Sequence, residues 1–222
     1  MDEYETIVLP AADTALTLIE GLPDAAHFIE LEGHLAKQIA HLALHKEDLD
    51  FVLDLLRQIN AVEDQVVKEA LWELAIIRFI KCFVGGSARI QLDESTIMAK
   101  TPGAMAVFRF FKDLRNKHFG HDENSYTQCT PIAALNDGQK TFKIEKIVTV
   151  NARGITLDQP SYANLELAAK QSLEWVIAKF DALCAQLTVE LEKDTMENLL
   201  KRPKIMIRSP EVVEIGARRK NP

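Results

Sequence analysis

Leu71-Trp72-Glu73-Leu74-Ala75-Ile76-Ile77-Arg78-Phe79-Ile80-Lys81-Cys82-Phe83 is apolar almost all the way round a helical wheel. A helix of that kind, predicted from about Glu63 to Val84, belongs at the centre of a bundle with other helices around it. Arg78 and Lys81 interrupt the apolar run well before the roughly 20 residues that a membrane span requires. No membrane-spanning segment is expected. Gly85-Gly86-Ser87 supplies the stop signal after this helix.

The flanking segments carry the same helical rhythm. Phe28, Leu31, Leu35, Ile39 and Leu42 recur at steps of three and four, which predicts a helix from Pro23 to about His45 with Pro23 and Asp24 in its first turn. A second helix, from about Lys46, would bury Leu49, Val52, Leu53 and Leu56. Beyond an irregular connection through Thr101-Pro102-Gly103, a fourth helix places Val107, Phe110, Phe111 and Leu114 in one band about 100° wide. From about Ser161, Leu165, Ala169, Leu173, Val176, Phe180, Leu183, Leu187 and Leu191 alternate steps of three and four over about eight turns, as in coiled-coil packing. Between residues 127 and 158 the pattern changes to short β-rich runs. Asn136-Asp137-Gly138 offers the left-handed positions of a tight hairpin turn, and Asn151-Ala152-Arg153-Gly154 a second turn into Ile155-Thr156-Leu157. The expected fold is mainly α, an up-and-down helical bundle with a small antiparallel β-hairpin insert. Its parts are an N-terminal arm over 1–22, the bundle over 23–200 with its insert at about 127–158, and a basic C-terminal tail over 201–222.

A chain of 222 residues, 47% hydrophobic and 27% charged, has near-average globular composition and enough length for one ample core or at most two small ones. The acidic opening Met1-Asp2-Glu3-Tyr4-Glu5 lacks the positive charge that precedes the apolar run of a secretory signal. Cys82, Cys129 and Cys184 are odd in number and form no Cys-x-x-Cys pair, so reduced thiols in a cytoplasmic protein are expected, with no zinc knuckle. The net charge of −7 hides an asymmetry: residues 201–222 sum to +5 and residues 1–200 to −12. A second basic island holds Lys100, Arg109, Lys112, Arg115 and Lys117 against Asp113 alone, a local field able to attract phosphates on an acidic molecule.

That island ends in Arg115-Asn116-Lys117-His118-Phe119-Gly120-His121, the one chemically loaded segment of the chain. His118 falls within the apolar band of the fourth helix and Arg115 at its edge, so both face packed protein or a subunit interface. A guanidinium there requires a partner or an anionic ligand. Gly120 is a natural helix end, after which His121 can turn back, with Asp122 and Glu123 nearby. Cations near the last carbonyls of a helix also complement its dipole, which accounts for part of the pattern without any ligand. Residue type points further. Histidine exchanges protons near neutral pH, and arginine presents a fixed fork of donors matched to phosphate oxygens.

The arrangement Arg, a polar residue, then a His at the end of a helix resembles the signature of the HEPN superfamily, in which an Arg and a His enclose four to six residues. Here Arg115 and His121 enclose five, with Asn116 at the polar position. Leu114-Arg115-Asn116-Lys117 with His121-Asp122 is most similar to abortive-infection and toxin-like branches, and the fold resemblance covers about residues 23–200. The resemblance implies a metal-independent endoribonuclease without cofactor, in which two subunits pair their motifs into one cleft. A homodimer, an RNA substrate and an antitoxin partner go with it. Arg115 would hold the scissile phosphate, Asn116 would position the site, and His121 would act as general base or acid. His118, one helical turn after Arg115, is the alternative histidine, and Lys117 and Asp122 are auxiliary. A catalytically silent HEPN-like module that binds RNA, a nucleotide or a protein through the same cleft is the rival expectation. Regulation through the Tyr that some branches carry two residues after the His is not implied, since Glu123 stands there.

Other groups read differently. His27, His34 and His41 recur every seven residues, and such neighbours on a helix stand about 10 Å apart, too far to share one ion. Only His41 and His45 could chelate together, and no third ligand is in view. Arg78 and Glu73 are expected in an internal ion pair or behind the Arg115 cleft. Trp72 and Trp175 are expected as core anchors.

Overall fold

The computed structural model describes residues 25–84, 89–121, 123–204 and 212–217. The N-terminal arm, the stop signal Gly85-Gly86-Ser87, Asp122 and most of the basic tail lie outside the described residues. The chain is mainly helical with a small two-stranded antiparallel sheet. Its elements are α1 (His34–Ala61), α2 (Gln65–Lys81), α3 (Glu94–Met98), α4 (Ala104–Asp113), a π-helical turn (Leu114–Phe119), β1 (Thr127–Leu135), β2 (Ile144–Arg153), α5 (Gln159–Leu191), α6 (Met196–Leu200) and a 3₁₀ turn (Val212–Gly216). They form two compact units whose boundaries fall inside α1 and α5.

The first unit combines Met1–Asp50, Cys82–Leu92 and Gln171–Pro222. Two helices were expected before Ala61, but α1 runs unbroken from His34, and residues 25–33 are not helical. Gly33 at φ 102° sets the start of the helix. Upstream, Ile29 bridges Lys204 and the Glu30 N–H donates to the Pro203 carbonyl at 2.7 Å, so extended pairing holds this backbone. His27 and His34 are exposed, whereas His41 and His45 are buried. The seven-residue histidine repeat is therefore not a feature of one helix face. His41 Nδ1 accepts from the Ile90 N–H at 3.1 Å, and His45 Nε2 lies 2.8 Å from the Ile90 carbonyl. The two rings thus satisfy both polar groups of one backbone residue. Asp48, one turn further along α1, binds Arg89 at 2.5 Å, with both side chains largely buried. Histidine and aspartate at 41, 45 and 48 form a clamp on residues 89–90, and no group of three or more metal-binding side chains occurs among the described residues. Burial holds the His45 pKa down at about 4, with Arg89 and His41 lowering it further against the Ile90 hydrogen bond and Asp48.

The second unit combines Phe51–Lys81 and Asp93–Lys170. Its core packs Trp72 and Phe79 of α2 edge-on against Phe111 and Phe108 of α4, with ring centroids 6.0 and 6.2 Å apart. α2 is one-sided rather than central: Trp72, Ala75, Ile76, Phe79 and Ile80 are buried, while Leu74 and Ile77 are exposed on the opposite face. Apolar residues all around a wheel showed that burial was possible, not on which sides. α2 begins where Asp64 Oδ1 accepts from the Val66 and Val67 N–H groups, an ordinary N-cap. Asp158 caps α5 in the same manner through Ser161, which holds its carboxyl below the usual carboxylate range. The short α3, capped by Asp93, falls within the stretch predicted to be irregular.

On α4 the buried aromatics are Phe108 and Phe111, and Phe110 is 38% exposed, so the predicted band is rotated by part of a turn. Trp175 is half-buried rather than a core anchor, and Arg78 stacks over Phe51 at 5.0 Å. The three cysteines are free thiols.

The hairpin forms where it was expected, in register from Thr127 with Arg153 to Leu135 with Ile144, with one irregularity at Ala134/Leu135. Its connection is longer than a tight turn. Asn136 spans it, its backbone N–H donating to the Lys143 carbonyl and its side chain to the Phe142 carbonyl, and only Gly138 takes positive φ. Residues 155–157 form no strand. β2 ends at Arg153, and the Gly154 N–H donates to the Tyr126 carbonyl at 2.7 Å. No described helix is long and apolar enough to cross a membrane.

Candidate functional site

The loaded segment adopts a π-helical turn over Leu114–Phe119. α4 leads into it through the Leu114 N–H, which is shared between the Phe110 and Phe111 carbonyls. It closes where the Gly120 N–H donates to the Arg115 carbonyl at 2.9 Å, a bond five residues long. Wide turns of this kind are rare and occur mostly as single turns inside α-helices, frequently at functional sites. Gly120 ends the helical segment, as expected, with φ at −88°. The reason for glycine is contact: a Cβ there would stand 2.9 Å from the Arg115 carbonyl oxygen. A side chain at 120 therefore requires the turn or its neighbours to shift.

Within the turn, the Arg115 guanidinium donates to Asn116 Oδ1 at 2.8 Å, and both residues are half-buried. Arg115 forms no ion pair with any described carboxylate. Asp113 is occupied by Lys117 at 3.1 Å on the exposed side. No described carboxylate therefore serves as the partner of Arg115, and the guanidinium keeps donors for an anion. His121 is exposed past the end of the turn. Asp122 lies outside the described residues.

His118 has a different environment. Its ring packs against Phe119 at 5.2 Å and Tyr126 at 5.6 Å, and its buried Nδ1 has no hydrogen-bond partner among the described residues. It lines a cavity of about 430 Å³ together with Glu69, Trp72 and Glu73 of α2 and Thr127 and Arg153 at the base of the hairpin. Arg115, Asn116, Lys117 and His121 do not line this cavity. The turn thus presents Arg115 with Asn116 in one setting and His118 in another.

The sequence alone did not mark Glu69 or Arg153 as lining this cavity, and it left Glu73 as an internal ion-pair partner or a group behind the Arg115 cleft and Trp72 as a core residue. One signal was available: pairing of Thr127 with Arg153 puts an arginine at the open end of the hairpin beside the chain leaving the π-helical turn. Gly154 closes the arrangement. A Cβ at 154 would lie 2.4 Å from Tyr126 Cδ1, so only glycine lets the Tyr126 ring settle against His118. Gly154→Ala is expected to displace that ring at a cost of about 1–3 kcal/mol, as overpacking does. Chemical denaturation of the variant checks the stability loss, and histidine NMR signals check that His118 is disturbed while His121 is not.

No protein-family model, curated protein or solved structure matches this chain.

Proposed function

We propose that the chain is a metal-independent endoribonuclease of the HEPN type, acting in a defence or toxin system, with its cleft completed by a second copy of the chain. The observation that carries this reading is Arg115, tethered to Asn116, free of any described carboxylate and mounted in a π-helical turn. Asn116 orients the guanidinium without neutralising it, as a phosphate-holding arginine requires. The 2′-hydroxyl gives up its proton to His121 of one copy as O2′ attacks phosphorus. The bond from phosphorus to O5′ then breaks, and the leaving oxygen takes a proton from the histidine of the other copy. Charge developing on the phosphoryl oxygens is offset by Arg115. DNA lacks the attacking group and is not a substrate.

An up-and-down arrangement of the helices and a homodimer belong to this reading. Leu74 and Ile77, exposed on the outer face of α2, offer apolar surface for the second copy. An antitoxin protein that covers the cleft is the matching partner. The test is incubation of the full chain with total RNA in EDTA, followed by mapping of cleaved ends. Cleavage leaving 2′,3′-cyclic phosphate or 3′-phosphate ends is expected. Binding without cleavage supports a silent RNA-binding module instead, and neither binding nor cleavage removes both readings.

A further inference from the structure

β1 and β2 form a sheet of two strands, and every residue of both is exposed except Val148, which is half-buried. A hairpin of two strands is marginal in water and needs further strands or a covering layer to become stable. This one carries apolar side chains on both faces, Ile132 and Val150 on one and Leu135, Ile144 and Ile147 on the other, all 44 to 69% exposed. The register and one hydrogen bond settle which backbone groups face outward. Tyr126 and Gly154 follow Thr127 and Arg153 in register, and the Gly154 N–H donates to the Tyr126 carbonyl at 2.7 Å. Bonded and unbonded pairs alternate along an antiparallel ladder, so Thr127·Arg153, Cys129·Asn151, Pro131·Thr149 and Ala133·Ile147 are the unbonded pairs, with backbone groups turned to the outer edges. On β1 that outer row is interrupted at Pro131, which has no N–H. On β2 the row Ile147, Thr149, Asn151 and Arg153 is complete, and no strand among the described residues pairs with it. An open edge of this kind is a template for another strand.

The sequence of β2 selects the strand that fits. Laid antiparallel against a second copy of itself about a two-fold axis at Thr149, β2 sets Thr149 opposite Thr149 and Val148 opposite Val150. It also sets Glu145, which the irregularity at Ala134/Leu135 leaves without a partner on β1, opposite Arg153. Thr–Thr and opposite-charge pairs are among those that stabilise a ladder, and symmetry makes the charge pair twice. Moving the axis to Val148 sets Lys143 against Arg153, a like-charge clash, and moving it to Val150 removes the charge pair. Glu145 accepts from Lys140 through Oε1 at 2.5 Å, so its second oxygen is the one offered to Arg153. Ile132, Val148 and Val150 share one face, and in this register the two copies join them into a continuous apolar strip.

We propose that the outer edge of β2 is an interface with a second copy of this chain, joining two hairpins into one four-stranded antiparallel sheet centred on Thr149. The proposal goes beyond the ribonuclease reading and does not rest on it, because it is tested without RNA. The β2 edge and the outer face of α2 are separate surfaces.

The test is sedimentation velocity of the full chain over a concentration series, with the register read by disulfide cross-linking. A dimer is expected. Thr149→Lys sets like charges on the axis at an exposed position, and it should weaken dimerisation at least about 10-fold with an unchanged circular dichroism spectrum. Glu145→Arg should weaken it about as much, and adding Arg153→Glu should restore it by reversing the pair. In chains carrying Cys129→Ser, mild oxidation of a mixture of Val148→Cys and Val150→Cys chains should give a linked dimer. Neither chain alone should, because like positions then stand beyond the roughly 7 Å limit for a bridge. A chain that stays monomeric overturns the proposal, including the case in which this edge takes an extended segment of a different protein. So does a dimer indifferent to Thr149→Lys, or cross-linking in the single chains and not in the mixture. If RNA is cleaved by a dimer that ignores Thr149→Lys, the ribonuclease reading stands and this one falls.

Discussion

Arg115→Ala is expected to lower RNA cleavage by about 10²- to 10³-fold with little change in stability. The fold change is that of removing one preorganised donor set from a developing anion. Stability should hold because Arg115 is half-buried and its hydrogen bond goes only to the neighbouring Asn116. Arg115→Lys retains the charge but not the fork of donors, so most of the loss should persist. His121→Ala should cost about 10²- to 10⁴-fold, the usual range for a proton-transfer group, and it removes no packing because His121 is exposed. Initial rates on a defined RNA, with analytical ultracentrifugation of each variant, check these outcomes. Unchanged rates in both Arg115→Ala and His121→Ala would remove the ribonuclease proposal. A loss in His118→Ala with none in His121→Ala would transfer the proton-transfer role to His118.

A second large effect is expected from acid. His45 is fully buried, and its pKa in the folded chain is lowered from 6.5 to about 4. The unfolded chain therefore takes up a proton at this position as the pH falls below about 6.5, while the folded chain does not until about 4. Stability is fully present above that window and is lost as the pH falls through it, by roughly 2–3 kcal/mol at about pH 4.5. The capping carboxylates Asp93 and Asp158 are also lowered from 3.8, so their contributions disappear only at still lower pH. Denaturant titrations at about pH 7.5 and about pH 4.5 measure the difference. His45→Gln, which keeps a donor for the Ile90 carbonyl but does not titrate, should flatten the dependence. The same slope in that variant would show that the clamp on residues 89–90 is not its source.

Much of the helical content was legible because burial imposes a period on the residue pattern. In the α5 stripe Leu165, Ala169, Val176, Phe180 and Leu183 read directly onto buried positions, though Leu173, Leu187 and Leu191 are only half-buried. The hairpin was legible because turn residues and β-branched runs alternate between 127 and 153. The start of α1 was not. Nothing local distinguishes Phe28 and Leu31 from a first helical turn, and it is Lys204, far along the chain, that draws Ile29 into extended pairing. The wheel for α4 misplaced Phe110 because aromatic residues at 108, 110 and 111 fit two neighbouring faces equally well, and the rings of Trp72 and Phe79 select one of them.

The residue types of the candidate site were plain in the sequence: an arginine, an amide and two histidines within seven positions, closed by a glycine. Side-chain chemistry and short-range spacing are properties of the chain itself, so they needed no fold to be read. Which histidine meets a cavity, which carboxylates stand opposite it, and why glycine is required at 120 and 154 were decided only in three dimensions. Those facts depend on a helical turn widened by one residue and on side chains from α2 and the hairpin brought together across long intervals of sequence, and neither leaves a periodic trace in the order of the residues.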